Sequence, residues 1–245
     1  MQEQRKHRRK QRKRRRSMRK KRLLVFGALI CWLVAMSVIL YPFVSNWLFE
    51  KNVDKDRETY ESTMTEKDWD AELAAAKAYN AKISQEGIFI YDAFAMEDAG
   101  KENEYWELLK ADEDGLMGYL SIPAISLNLP IYHGTSEETL RKGCGHLPGS
   151  SLPVGGDSTH AVLSAHTGME TAELFTNLDQ LVVGNEFSIS VFGQELNYEV
   201  DFIEVVLPEE LDRLTIVENE DYITLVTCTP YGINSHRLLV RGSRK

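Results

Sequence analysis

A cysteine and an arginine near the end of the chain are spaced so that they could act on one substrate. Cys228 follows the apolar segment 222–227 (YITLVT), which predicts a buried or half-buried strand. Residues 229–235 (TPYGINS) are typical of a turn, and His236–Arg241 (HRLLVR) predicts a second strand. A thiol nucleophile and a cation would then face each other across a short loop. Taken alone, a cysteine in a strand is more often a small buried apolar residue.

Four separate segments resemble, in the same order along the chain, segments of sortases, the membrane-anchored cysteine transpeptidases of Gram-positive bacteria. They are GHLPGSSLP (145–153), HAVLSAHTG (160–168), LFTNLDQL (174–181) and TLVTC followed by a loop and HRLLVRG (224–242). The resemblance covers about residues 86–243 and is closest to class C members, which assemble pili.

The resemblance implies roles for three side chains. Cys228 would be the nucleophile and would hold the acyl group as a thioester. His166 would protonate the leaving amine and deprotonate the incoming one. An arginine would orient the substrate and stabilise the oxyanion with its fixed fork of donors. The family pattern places this arginine directly after the histidine that opens the last strand, which favours Arg237 over the alternative, Arg241.

Thr227 and His146 are further candidates, because the resemblance suggests that they contribute to a substrate groove. The remaining strand and turn histidines are more often packed or hydrogen-bonded than catalytic; they are His133, His160 and His236. No pair of histidines has metal-ligand spacing with a third ligand, and no Gly-rich phosphate loop is present. We therefore expect neither a metal nor a cofactor.

Residues 86–105 have short apolar patches without a sustained period, which predicts a loop. Its apolar side chains would be exposed unless they cover another surface. Class C sortases carry a lid here, in which an Asp-Pro-aromatic triplet plugs the active site, and Asp92-Ala93-Phe94 resembles it. By resemblance Asp92 would pair with the active-site arginine and Phe94 would lie over the cysteine. Ala93 replaces the stiffening proline, and an ordinary hydrophobic staple is the alternative.

The catalytic domain is predicted at 106–245 as a mainly β structure, a sortase-type closed barrel of about eight strands with short helices. Short apolar segments separated by turn residues indicate such an all-β barrel. Besides the two strands already described, the expected strands are Met117–Ile122, Ile125–Ile131, His160–Ala165, Glu186–Val191 and Glu195–Val206. Short helices are expected at Tyr105–Lys110, Ser136–Arg141, Ala172–Asp179 and Pro208–Leu214.

The net charge of -8 conceals two opposite parts. Residues 1–22 hold fourteen Lys and Arg against one acid, and the rest of the chain holds 15 basic and 36 acidic residues. A basic run of this kind could bind nucleic acid. It precedes a long uncharged apolar stretch, however, so we expect a basic cytoplasmic tail at 1–22 and a transmembrane signal-anchor helix at 23–45. A cleaved signal peptide is the alternative.

The positive-inside rule places the N-terminus in the cytoplasm and residues 50–245 outside a single-pass membrane protein. Residues 50–85 carry apolar side chains at spacings near three, four and seven, which predicts one or two amphipathic helices. Two interpretations are open and do not exclude each other: a solvated stalk, and a helix packed on the catalytic domain. The apolar positions are Tyr60, Met64, Trp69, Leu73, Ala76 and Ile83.

Three cysteines do not make a disulfide framework. Cys31 lies in the apolar segment, which leaves Cys144 and Cys228 outside the membrane. Sequence allows a disulfide between these two, which would inactivate the thiol, but a small buried filler at Cys144 is favoured.

The resulting hypothesis is a class C sortase that cleaves an LPxTG-like sorting signal between Thr and Gly and transfers the acyl group to a pilin lysine. Its partners would be a pilin or surface protein with that signal, an amine acceptor and the membrane, without nucleic acid. Two alternatives stay open: anchoring of surface proteins to a peptidoglycan amine, and a non-catalytic membrane-anchored adaptor that keeps the barrel for binding.

Overall fold

The computed structural model describes residues 2–65, 68–86, 92–94, 104–169 and 172–245. The chain divides into two compact units, Met1–Trp47 and Leu48–Lys245. The part of the predicted loop 86–105 that falls at 87–91 and 95–103 lies outside the described residues.

The first unit belongs to helix α1 (Gln2–Thr65). The segment Leu24–Met64 is long and apolar enough to cross a membrane, with a mean hydropathy of 2.5 in its most apolar window. The described apolar side chains before Trp47 are largely exposed, as lipid-facing residues would be. Helix α1 continues through Pro42. A proline removes one backbone hydrogen bond and crowds the preceding turn, and membrane helices tolerate it because local adjustments satisfy the freed carbonyl.

In the second unit, the end of α1 and helix α2 (Asp70–Glu86) pack on the β structure. The predicted apolar positions are largely buried, and the Tyr60 hydroxyl donates to the Met117 carbonyl at 2.9 Å and accepts from Phe192 N at 2.9 Å. Asn80 exchanges two hydrogen bonds with the backbone of Leu152, at 2.9 and 2.7 Å. The amphipathic pattern therefore serves packing rather than a solvated stalk.

The described residues contain eight strands that close into one barrel, in the order β1-β2-β3-β4-β7-β8-β6-β5. Two neighbouring pairs, β2 with β3 and β4 with β7, are parallel, and the others are antiparallel. Closure leaves no free sheet edge. The strands are β1 (Leu116–Ile122), β2 (Leu127–His133), β3 (Cys144–His146), β4 (Thr159–Ser164), β5 (Glu186–Val191), β6 (Gln194–Val206), β7 (Asp221–Thr229) and β8 (His236–Arg244).

Alternation along β4, β7 and β8 sorts their apolar side chains into two clusters. One set fills the barrel interior; on these three strands it comprises Ala161, Leu163, Ile223, Leu225, Leu238 and Val240. The intervening side chains Val162, Val226 and Leu239 form a second cluster on the outer face, which we call the outer cluster. The strands that position the candidate site are therefore covered on both faces.

Short helical elements differ in part from their prediction. Helix α3 (Glu137–Lys142) is confirmed, and the hydroxyl of its N-cap Ser136 accepts from Thr139 N. The 3-10 helices Glu104–Glu107 and Asp212–Leu214 fall where helical turns were expected. The predicted helix 172–179 is wrong: residues 174–177 form turns before a 3-10 helix at Leu178–Gln180. Strand β3 was not predicted.

Candidate active site

Cys228 and Arg237 are direct partners in the antiparallel ladder between β7 and β8. Both residues alternate with interior side chains on their strands, so both project on the outer face of the barrel. Cys228 is half-buried and Arg237 is buried. The structure thus brings together the two side chains that the sequence placed on either side of a short loop.

His166 follows the end of β4, which pairs with β7 in parallel. One further ladder bond, from Ala165 N to the Val226 carbonyl at 3.2 Å, extends this pairing to the residue before the histidine. The backbone of His166 is fixed from the other side, because its carbonyl accepts from Phe175 N at 3.0 Å. Strand pairing therefore carries His166 to the same end of the sheet as Cys228.

Thr227 and His146, which we expected to contribute to a substrate groove, are both buried in this structure. Thr227 faces the barrel interior, where its hydroxyl donates to the Ala165 carbonyl at 2.8 Å. His146 is fully buried, with its Nδ1 3.0 Å from the Tyr105 hydroxyl and its Nε2 2.8 Å from the Ser151 carbonyl. Burial lowers the pKa of His146 to about 3. Both residues hold the wall of the barrel together.

The carboxylate of Asp92 binds the guanidinium of Arg237 through two parallel hydrogen bonds. Arg237 Nε donates to Oδ1 at 2.9 Å and Nη2 donates to Oδ2 at 2.7 Å. The third nitrogen, Nη1, donates to the carbonyls of Asn234 and His236 at 3.2 and 3.1 Å. While Asp92 is bound, the two guanidinium nitrogens that face it, Nε and Nη2, are both occupied.

Phe94 lies between the arginine and the histidine. Its ring centroid is 5.1 Å from the Arg237 Cζ atom and 6.0 Å from the centroid of the His166 imidazole. The neighbouring Ala93 is buried in the outer cluster, which also includes Leu147, Val206 and Leu214. The methyl side chain of Ala93 is thus packed against apolar neighbours.

The Cys228 thiol is held in a setting that favours its neutral form. Burial raises the pKa of Cys228, the positive Arg237 opposes that rise, and the negative Asp92 adds to it. Cys144 is a free, fully buried cysteine, and burial raises the pKa of its thiol strongly. The favoured prediction of a small filler at Cys144 is therefore confirmed over a disulfide to Cys228.

Sequence reasoning missed one charged residue beside the site. Glu137, the first residue of α3, places its Oε2 atom 3.3 Å from His166 Nε2. The same carboxylate accepts from Arg141 Nε at 2.9 Å. Glu137 belongs to none of the four segments on which the resemblance rests, so a capped helical turn was the only signal that pointed to its region.

Arg241, the alternative arginine, is engaged elsewhere on the barrel. It pairs with Thr224 rather than with Cys228 in the ladder between β7 and β8. Its guanidinium binds Asp201 through two hydrogen bonds at 3.0 and 2.9 Å and stacks on the Tyr222 ring at 4.1 Å. This arrangement favours Arg237 as the arginine of the site.

Of the remaining histidines, His133 and His160 are buried and hydrogen-bonded. Both ring nitrogens of His133 lie within 2.9 Å of backbone carbonyls, those of Gly115 and Leu108. Burial lowers the pKa of His160 to about 4. Among the described residues no cluster of three His, Cys, Asp or Glu could hold a metal ion.

The model of a family described as the sortase domain matches residues 120–245. Sortase C-1 of Actinomyces oris has a similar structure, with a TM-score of 0.68, 49% identity and coverage of 71% of this chain and 97% of that one. Sortase C of Streptococcus pneumoniae gives a TM-score of 0.72 and 45% identity, over 78% of this chain and 96% of that one.

A curated relative, sortase D of Bacillus subtilis, is 28% identical over 130 residues, which is 52% of this chain. The alignment spans 63% of the length of that relative. Both structural matches cover more than two thirds of this chain, which is more than the barrel strands at 116–244 occupy. They therefore include part of the chain before the barrel as well as the barrel.

Proposed function

Because the chain belongs to the sortase family, we propose that it is a class C sortase, a cysteine transpeptidase that polymerises pilin subunits. The structural neighbour from Streptococcus pneumoniae is a sortase C with pilin substrates. The observation that carries the proposal is the direct ladder pairing of Cys228 with Arg237 at the strand end that also carries His166. Asp92 binds Arg237, and Phe94 contacts both Arg237 and His166.

In the first half of the proposed reaction, Cys228 passes its thiol proton to His166, and the thiolate attacks the Thr carbonyl of an LPxTG-like sorting signal. Arg237 stabilises the oxyanion of the tetrahedral intermediate with its N–H donors. The Thr–Gly bond then breaks, and His166 gives its proton to the leaving amine. The product is a thioester between the Thr carbonyl and Cys228 Sγ.

In the second half, a lysine amine of another pilin subunit loses a proton to His166 and attacks the thioester. The Sγ atom leaves as a thiolate, and an isopeptide bond joins the two subunits. His166 then returns its proton to the Cys228 thiolate, so the histidine and the thiol regain their starting states and no cofactor is needed for the balance.

We propose in addition that residues 92–94 are a lid that competes with substrate. Arg237 cannot offer its Nε and Nη2 donors to an oxyanion while both bind Asp92. Phe94 covers the same end of the sheet, and Asp92 also favours the protonated thiol. Substrate must therefore displace this segment before Cys228 reacts.

The proposed location is the cell membrane, with α1 crossing it once. The apolar stretch of this helix supports the span, and the basic residues 1–22 support a cytoplasmic N-terminus with the barrel outside. This orientation would present Cys228 to exported pilins.

The test incubates the full-length protein in detergent micelles with a pilin that bears its sorting signal, followed by intact-mass analysis. We expect a thioester adduct on Cys228 and pilin ladders joined through lysine. Cys228→Ala should abolish both products, whereas Cys144→Ala is the matched control because its thiol is buried and should leave both unchanged.

Covalent ladders that persist in Cys228→Ala would contradict the proposal. A thioester that resolves only onto a peptidoglycan amine would change the acceptor to the cell wall. Absence of any adduct, even after Asp92 and Phe94 are replaced by Ala, would favour the non-catalytic adaptor.

A further inference from the structure

The imidazole of His166 has one nitrogen in an unusual setting. Its Nε2 atom is buried and has no hydrogen-bond partner among the described residues, although the Glu137 Oε2 atom is only 3.3 Å away. A buried polar atom without a partner is costly and calls for an explanation. Here the two groups are close enough to form an ion pair but are not aligned for a hydrogen bond.

The position of Glu137 is fixed by its surroundings. Arg141 Nε holds the Oε1 atom at 2.9 Å, so that Oε2 is the oxygen directed at His166. Helix α3 is anchored by the buried side chain of Leu140. It also lies so close to β3 that a Cβ atom on Gly145 would come within 3.0 Å of the Leu140 Cδ2 atom. The backbone of Glu137 is therefore fixed by the packing of α3, and its exposed side chain is oriented by the hydrogen bond from Arg141.

The other charges of the site do not substitute for Glu137. Asp92 and Arg237 bind each other, so their charges largely cancel. The Arg237 guanidinium is separated from the His166 ring by Phe94, which it contacts at 5.1 Å. Glu137 is thus the described carboxylate that ion-pairs with His166.

We propose that Glu137 is a positioning residue of the transpeptidation reaction, which holds His166 through Nε2 and stabilises the imidazolium formed when the histidine takes the Cys228 proton. Its role is to position the histidine, and it is not a proton carrier in the reaction. The ring nitrogen opposite to it, Nδ1, is then the atom that exchanges protons with the thiol and the amines. This inference rests on the proposed function for its role in catalysis.

The first experiment measures alkylation of Cys228 by iodoacetamide as a function of pH, in the full-length protein with Asp92 and Phe94 replaced by Ala so that the thiol is open. Peptide mass mapping isolates the signal of Cys228. We expect Glu137→Gln to lower the rate at neutral pH about tenfold, because fewer thiolate–imidazolium pairs form. The limiting rate at high pH, where the thiolate no longer depends on His166, should be unchanged.

Glu138→Gln is the matched control. It removes a charge from the same turn of α3, but Glu138 pairs with Lys142 at 2.8 Å rather than with His166. Its profile should coincide with that of the parent. Equal profiles for the two glutamine variants would overturn the inference, as would a loss in Glu137→Gln that is uniform at all pH values.

Glu137→Asp gives a second, independent measurement and decides the matter if the glutamine variant does not fold. Aspartate keeps the negative charge in the first turn of α3, but its side chain is shorter by one methylene group. We therefore expect a smaller loss of the alkylation rate at neutral pH than in Glu137→Gln. A profile identical to the parent would refute the role of the contact with His166.

The peptide reaction separates the two proposals. Turnover of a sorting-signal peptide should fall about tenfold in Glu137→Gln, with the acid limb of its pH profile moved to lower pH. If no variant, including the parent, forms a thioester while the alkylation profiles still differ, the proposed function fails and the pairing of Glu137 with His166 stands.

Discussion

The chain before the barrel is attached to it at two places, which are held by different kinds of interaction. At one end, Asp92 and Phe94 reach Arg237 and His166 through charge and ring contacts, and Asp92 and Phe94 both stay partly exposed. At the other end, Tyr105 and Leu109 are fully buried in the main core.

The buried attachment also has a complete set of hydrogen bonds. The Tyr105 hydroxyl accepts from Gly134 N at 3.0 Å and lies 3.0 Å from both the Nδ1 atom and the carbonyl oxygen of His146. A contact of this kind separates only when the fold opens. The Asp92–Arg237 pair, by contrast, is held by two hydrogen bonds and can exchange Asp92 for another acceptor. The comparison therefore indicates which end of the segment is free to move during a reaction.

The largest expected effect on stability comes from breaking the buried attachment at Tyr105. Tyr105→Ala removes a core ring and leaves His146 without its partner, so we expect the free energy of unfolding to fall by about 3–5 kcal/mol. Denaturant unfolding followed by tryptophan fluorescence measures it. Tyr105→Phe, which keeps the ring, should cost about 1–3 kcal/mol. A loss in Tyr105→Ala no greater than that of an Asp92 variant would erase the distinction between the two ends.

The second expected effect is a loss of folding stability at acid pH. Burial holds the folded-state pKa of His146 at about 3 and that of His160 at about 4, below the value of about 6.5 in an unfolded chain. The unfolded state therefore binds more protons as pH falls below about 6.5, and stability present above that pH is lost towards pH 4 and 3. Each group contributes about 1 kcal/mol per pH unit in that window.

Unfolding titrations between pH 7 and pH 4.5 check this slope. His146→Gln should reduce proton uptake on unfolding by up to one, because glutamine does not titrate. A stability that is flat across the window would show that the buried attachment is not sensitive to acid.

The clearest effect on reactivity comes from the attachment at Asp92 and Phe94. Asp92→Asn should lower the free energy of unfolding by about 1–3 kcal/mol, because it weakens a largely buried pair but leaves an acceptor for Arg237. It should nevertheless raise the alkylation rate of Cys228 about tenfold. The substitution removes a negative charge that raises the pKa of the thiol, and it weakens the attachment of residues 92–94 over the site. Asp201→Asn is the control, since it breaks a similar two-bond pair with Arg241 away from the thiol. Equal rates in the two variants would reduce residues 92–94 to an ordinary loop.

The sequence predicted the closed barrel because alternating apolar residues and turn residues mark most of the strands. It missed β3, since Cys144-Gly145-His146 has no apolar alternation and becomes a strand only by pairing with β2 and β4. It also predicted a helix at 172–179, where the side chains of Leu174 and Phe175 instead turn into the core. In both places tertiary contacts outweighed the local pattern.

The candidate site was predictable to the extent that it is local. Cys228 and Arg237 share one hairpin, so their partnership follows from strand and turn signals. Assigning His166 and Asp92 needed the family resemblance, because only the folded chain brings them to that hairpin. Glu137 lies on an exposed turn of helix with no motif, and nothing in a single sequence shows that its carboxylate reaches a histidine.

The hydrogen bond from Thr227 to the Ala165 carbonyl ties together the two strand ends that carry the nucleophile and the acid/base. Departure of residues 92–94 therefore need not rearrange either group. The proposed lid then behaves as a competitive inhibitor on a tether, whose effective concentration is set by the chain that links it to the barrel. Weakening it should lower the apparent KM for the sorting signal and leave kcat nearly unchanged.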